Sequence, residues 1–126
     1  MAALAEDYSR ATNYYEKVAE QSMRSNTMRY SVKEYLLKSG LCHLASHPQD
    51  ADAVLAKYSD MDQSFPQEKE GRLLADLSRA VNDGKEEDFA DALFKYDRIS
   101  RLDSWKTTVC LRIKNAIGVI DEDQYA

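Results

Sequence analysis

Glycine and proline are scarce: 4 Gly and 2 Pro in 126 residues. That is about half the usual share and too few for the turns of an all-β sandwich. No stretch approaches the roughly 18 uncharged apolar residues of a membrane-spanning helix. The first residues, Met1-Ala2-Ala3-Leu4-Ala5-Glu6-Asp7, have no basic start and no long apolar run, so they do not read as a signal peptide. There are 2 cysteines, Cys42 and Cys110, each inside an apolar helical pattern. This spacing predicts no disulfide framework and a reducing, cytosolic setting. Excess positive charge is also missing. A net charge of −5 argues against binding nucleic acid by bulk electrostatics.

What is present suits one all-α domain. Hydrophobic residues make up 44% of the chain, and 8 Tyr, 3 Phe and 1 Trp are enough to build a core, which excludes disorder. This length buries roughly two-thirds of the unfolded surface. Tyr8, Ala11, Tyr15, Val18 and Ala19 fall at helical spacing and predict a first helix over 4–22. After the polar break Ser25-Asn26-Thr27, a stripe of Val32, Tyr35, Leu36, Leu41, Cys42 and Leu44 predicts a second over 27–45. Pro48 suits the first position of a third helix, 49–62, carrying Ala51, Val54, Leu55 and Tyr58. Pro66 opens a fourth, 66–82, with Leu73, Leu74, Leu77 and Val81 inward; Gly84 fits a left-handed cap at its end.

Glu86, Glu87 and Asp88 favour the start of a fifth helix, 86–99, on Phe89, Leu93 and Tyr96. Asp103 suits the cap of a sixth, 104–117, faced by Trp105, Val109, Ile113, Ala116 and Ile117 and ended by Gly118. An acidic tail over 119–126 follows. Trp105 is expected to be a buried anchor, so that Trp105→Ala costs about 3–5 kcal/mol.

Helix starts recur about every 20 residues and hairpins about every 40, the period of a stacked helix-pair array. The run Tyr8-x-x-Ala11-x-x-x-Tyr15-x-x-Val18-Ala19 resembles the second helix of a tetratricopeptide-type repeat. The first helix begins abruptly on an apolar face. The chain is therefore expected to be a single helical domain, 1–126, forming the C-terminal part of a longer helical-repeat array.

No catalytic constellation emerges. Cys42, His43 and His47 have the residue types of a metal site, but Pro48 forces His47 out of helical geometry and a fourth ligand is missing. Cys42 and His43 are adjacent on a helix and point apart, which excludes a nucleophile–base pair. Gly40 and Gly71 stand alone, without a phosphate loop. The expectation is no enzyme, cofactor or metal. Charge is more informative: Arg29, Lys33 and Lys38 with Tyr30 form a strip at the second helix. Such a strip is either a solvated face or a site for an acidic protein. Asp121, Glu122 and Asp123 are either a solubilising end or a hook for a basic groove. Lys106, Arg112 and Lys114 are expected to complement the negative end of the last helix.

Longer words carry a resemblance. Met28-Arg29-Tyr30-Ser31-Val32-Lys33-Glu34-Tyr35 through Ser39-Gly40-Leu41-Cys42-His43-Leu44 resembles a helix of the soluble attachment proteins (SNAPs) for the N-ethylmaleimide-sensitive fusion ATPase (NSF). Phe94-Lys95-Tyr96-Asp97-Arg98-Ile99-Ser100-Arg101-Leu102-Asp103-Ser104-Trp105 and Leu111-Arg112-Ile113-Lys114 match the alpha-type members in order and spacing. The likeness runs from about Tyr8 to Asp123 and covers the C-terminal portion of a family chain. It implies tetratricopeptide-like helix hairpins ending in a C-terminal helical bundle.

It also implies an adaptor, cytoplasmic and peripherally associated with membranes, that performs no chemistry. Such an adaptor lies along SNARE complexes of the syntaxin type and recruits and stimulates the NSF-type ATPase that takes them apart. This disassembly serves vesicle fusion and intracellular protein transport. By resemblance, Arg29, Tyr30 and Lys33 face the SNARE rod, and Asp83, Asp121, Glu122, Asp123 and Tyr125 face the ATPase.

Two departures stand out. The family's next-to-last leucine, tied to ATPase stimulation, is Tyr125 here. Its acids near the end of the fourth helix are replaced by Arg79 and Asn82, leaving Asp83. Membrane attachment belongs to family elements N-terminal to this segment, and the segment alone is expected to bind SNARE complexes weakly. The competing reading is a generic tetratricopeptide-like scaffold that holds a short peptide.

Overall fold

The computed structural model describes the backbone of residues 2–25 and 31–125, and side chains for 8–25 and 31–117. Six α-helices account for nearly all of it: α1 Ala2–Met23, α2 Val32–Ser46, α3 Ala51–Met61, α4 Lys69–Asp83, α5 Glu86–Ile99 and α6 Ser104–Tyr125. No strand occurs among the described residues. Among the same residues, no helix is long and apolar enough to cross a membrane.

The helix ends follow local chemistry. His47, held by the following proline at φ −140° and ψ 68°, leaves helical geometry and ends α2. Pro48 then opens a 3₁₀ turn, Pro48–Asp50, that leads into α3. Pro66 likewise sits in a 3₁₀ turn, Phe65–Gln67, and α4 begins only after extended Glu68, so neither proline heads its α-helix as expected. The first turn of α4 folds back on this turn, and a Cβ at Gly71 would overlap the Phe65 carbonyl. Gly84 at φ 68° ends α4, where the Lys85 N–H closes back on the Ala80 carbonyl at 2.9 Å. Asp103 Oδ1 accepts the Lys106 N–H at 2.8 Å and caps α6.

The last helix corrects an expectation. Gly118 does not end α6, which runs to Tyr125 through the stretch expected to be a tail. One glycine costs a helix interior only about 1 kcal/mol, and without a left-handed turn or a proline it does not stop one. Arg112 and Lys114 therefore lie far from the final turn, and Lys106 lies in the first. None of the three complements the helix C-terminus, and Lys114 instead pairs with Glu86 at 3.9 Å. The expected start of the second helix at 27 falls outside the described residues.

The helices pack in pairs, α1 on α2 and α4 on α5, with α3 between them. α2 is the hub and touches α1, α3, α4 and α6. In a strictly linear array α6 would not reach α2; here it folds back on α2, α4 and α5 and closes a bundle. Val32, Leu36, Leu37, Leu41 and Cys42 of α2 are all fully buried. Around them lie Tyr58, Phe65, Leu74, Leu77, Phe89 and Cys110, with the Tyr58 and Phe65 rings edge-on at 6.1 Å. Most of the expected α1 stripe is only half-buried, and Ala19 is its fully buried member. Ala116 is exposed.

Trp105 is half-buried rather than a core anchor. It sits edge-on to Tyr15 at 5.7 Å, at the rim where the first turn of α6 meets α1. Its neighbour Lys106 takes the inward position instead.

Candidate functional site

The cysteine–histidine stretch on α2 is structural in character. Burial pushes the Cys42 and Cys110 thiols up to about 12, so both stay neutral thiols near pH 7. Burial, and then the charge of His47, holds His43 below its ordinary value. The two rings lie 5.7 Å apart, and His43 Nε2 is buried without a hydrogen-bond partner. Among the described residues no group of three or more His, Cys, Asp or Glu side chains is arranged to hold a metal.

Two buried polar clusters escaped the sequence reading. In one, Tyr58 donates to Glu16 Oε2 at 2.8 Å and lies 2.5 Å from Ser39 Oγ, which donates to the Thr12 carbonyl. Lys57 closes it on Glu16 Oε1 at 2.9 Å, clipping α1 to α3 across α2. In the other, the Lys106 side chain is 7% exposed and its ammonium is paired with Glu34 of α2 and lies 3.6 Å from Asp103. Burial alone would pull Lys106 down, but the Glu34 hydrogen bond and the Glu34 and Asp103 charges leave it above its ordinary value. No single-helix pattern pairs residues this far apart, so neither cluster leaves a periodic signal.

The residues expected to meet partners lie at helix ends. Lys33, in the first turn of α2, pairs with Glu68 at the head of α4 at 3.3 Å. Lys38, on the same helix, sits over the Tyr15 ring at 5.8 Å. Arg29 and Tyr30 lie outside the described residues. Asp83 is exposed at the last position of α4, about 21 Å along the helix from Lys69 at 1.5 Å per residue. The backbone of Asp121, Glu122, Asp123 and Tyr125 continues α6, and their side chains lie outside the described residues. Lys33 and Asp83 thus mark opposite ends of α4, and the structure does not gather them into one pocket.

Comparison with known proteins decides the family. A profile described as "Soluble NSF attachment protein, SNAP" matches residues 1–118. The chain belongs to the soluble NSF attachment protein family. It is 46% identical over 98% of its length to a "Probable vesicular-fusion protein sec17 homolog" of Neurospora crassa, of which it covers 42%. Another protein of that description, from Schizosaccharomyces pombe, is 40% identical over 98% of the chain, which covers 43% of it. Human "Alpha-soluble NSF attachment protein" is 36% identical over 97% of the chain, which covers 41% of it. The chain thus spans about two-fifths of the length of these relatives. The paired helices are consistent with the tetratricopeptide-like hairpins of the SNAP family.

Proposed function

We propose that this chain is the C-terminal domain of a longer helical-repeat adaptor. The adaptor binds syntaxin-type SNARE complexes and recruits and stimulates an NSF-type ATPase for their disassembly. In this reading it works in the cytoplasm at membrane surfaces, in vesicle fusion and intracellular protein transport, and does no chemistry itself. Arg29, Tyr30 and Lys33 face the SNARE rod. Asp83, Asp121, Glu122, Asp123 and Tyr125 meet basic surface on the ATPase.

Family membership supports this, and the observation that carries it is the separation of Lys33 and Asp83 at opposite ends of α4. An adaptor has to hold one partner while handing it to another, so two contact sets held apart by the length of a rigid helix suit the task better than one pocket. Complementary charge at each end would steer each encounter and fix its orientation.

The test immobilises the chain on a surface, where clustering makes weak contacts additive. NSF retention and ATP hydrolysis are then measured with and without residues 121–126. The expected result is retention with faster hydrolysis, both lost on removing those residues. A folded surface that retains no ATPase would overturn the reading.

A further inference from the structure

The α4–α5 pair carries a surface that none of the residues discussed above accounts for. A groove of about 210 Å³ runs between the two helices. Leu73, Ala92, Tyr96 and Ile99 make its apolar lining, and Ile99 is 71% exposed. Three cations border it: Lys69 and Arg72 from α4, and Lys95 from α5. Among the described residues none of the three makes an ion pair, whereas Lys33, Lys57, Lys106 and Lys114 all do. Asp76 is the single acid on the border. A chain with net charge −5 therefore sets three uncommitted cations around one apolar groove.

From this charge and shape we infer that the α4–α5 groove docks an acidic amphipathic helix of a protein partner. An aliphatic side chain seats against Leu73, Tyr96 and Ile99, and flanking carboxylates meet Lys69, Arg72 and Lys95. Shape favours a helix, because a groove between two packed helices is the surface into which the side-chain ridge of a third helix fits. Direction follows as well. Farther along the same cleft the border turns acidic, with Asp76, Asp88 and Asp91 against Arg79 and Lys95. The acidic end of the partner therefore lies toward Lys69 and Ile99, and any basic residue toward Asp88.

An anionic bilayer fits less well. The cations border a concave cleft rather than a protruding plane, and a net negative chain is repelled by such a surface.

The test uses the whole chain and neither partner of the proposed function, so its failure leaves that reading standing. A fluorescein-labelled helical peptide of Glu, Leu and Ala, with Glu flanking a Leu stripe, is titrated with the chain by anisotropy. One control peptide carries Gln for every Glu and another Ser for every Leu. The Glu–Leu peptide should bind at least about tenfold more tightly than either control, one decade being about 1.4 kcal/mol. The double variant Arg72→Glu/Lys95→Glu should lose about tenfold or more, and Ile99→Ser about fivefold. Raising the salt should weaken binding several-fold.

If the charge-reversed chain fails to fold, the ¹³C-methyl resonance of Ile99 in the unaltered chain supplies the second reading. It should move with the Glu–Leu peptide and stay still with the Gln control. Equal binding of the Glu and Gln peptides, or a still Ile99 methyl, would overturn the proposal. Retention on phosphatidylserine vesicles, lost in Arg72→Glu/Lys95→Glu, without peptide binding would also overturn it.

Discussion

α2 and α5 are nearly the same length, 15 and 14 residues, and are used in opposite ways. Eight residues of α2 are buried, against only Phe89 and Tyr96 of α5. α2 is surrounded by α1, α3, α4 and α6, whereas α5 packs on α4 and α6 and leaves Phe94 and Ile99 in water. The difference is visible in their composition. Apolar residues surround α2, as in a buried helix, while α5 keeps a narrow stripe and a broad polar face. Stability is thus concentrated in α2, and α5 is free to carry contacts.

Substitutions should divide along that line. Leu37→Ala, at a fully buried position on α2, should cost about 2–5 kcal/mol in urea unfolding. A loss below 1 kcal/mol would remove α2 from the core. Lys106→Ala should cost less, about 1–3 kcal/mol, because its partner Glu34 is 38% exposed and is rescued in part by water. Lys106→Met fills the same space without a charge and should unfold within about 1 kcal/mol of the parent. If Met costs as much as Ala, the ion pair itself would be the source of stability.

A smaller effect depends on pH. Burial, followed by the charge of His47, holds folded His43 below its ordinary value. The unfolded chain therefore takes up the proton first. The contribution of His43 is complete above pH of about 6.5 and is lost as pH falls through the lowered folded value. Tm should drop between pH 7.5 and 5.5, and His43→Gln should remove part of that drop; an unchanged slope would refute this. Least of all, Phe94→Ser on α5 should shift unfolding by no more than about 0.5 kcal/mol, since the ring is 65% exposed. A loss like that of Leu37→Ala would erase the contrast between the helices.

What the sequence revealed was local. Gly84 and Asp103 were legible as caps because cap chemistry involves neighbours within a few residues. α4 was legible because its apolar residues recur with a strong helical periodicity, and α2 because apolar residues are dense all round it. Gly118 misled because a glycine stops a helix only where the backbone also turns left-handed. Trp105 and Lys106 misled together. Residue type predicts the ring fully inside and the amine outside, but the way α6 meets Glu34 buries the amine and leaves the ring partly buried at the core's edge. The fold-back of α6 onto α2 depends on contacts far apart in sequence, which no local pattern encodes.

Of the proposed contact residues, Lys33 and Asp83 were assigned by the family resemblance rather than by periodicity. The Lys33–Glu68 pair that now occupies one of them left no sequence signal. The cations around Ile99 were passed over for the same reason, since they converge only once α4 and α5 pack together.

The central claim is that opposite ends of α4 serve different partners. Its most direct test is a crossed charge reversal on the immobilised chain, comparing Lys33→Glu and Asp83→Lys for capture of SNARE complexes and of NSF. Lys33→Glu should depress SNARE capture alone, and Asp83→Lys ATPase capture alone. If either folded variant lowers both captures equally, the two ends do not act as separate surfaces, and the account is wrong.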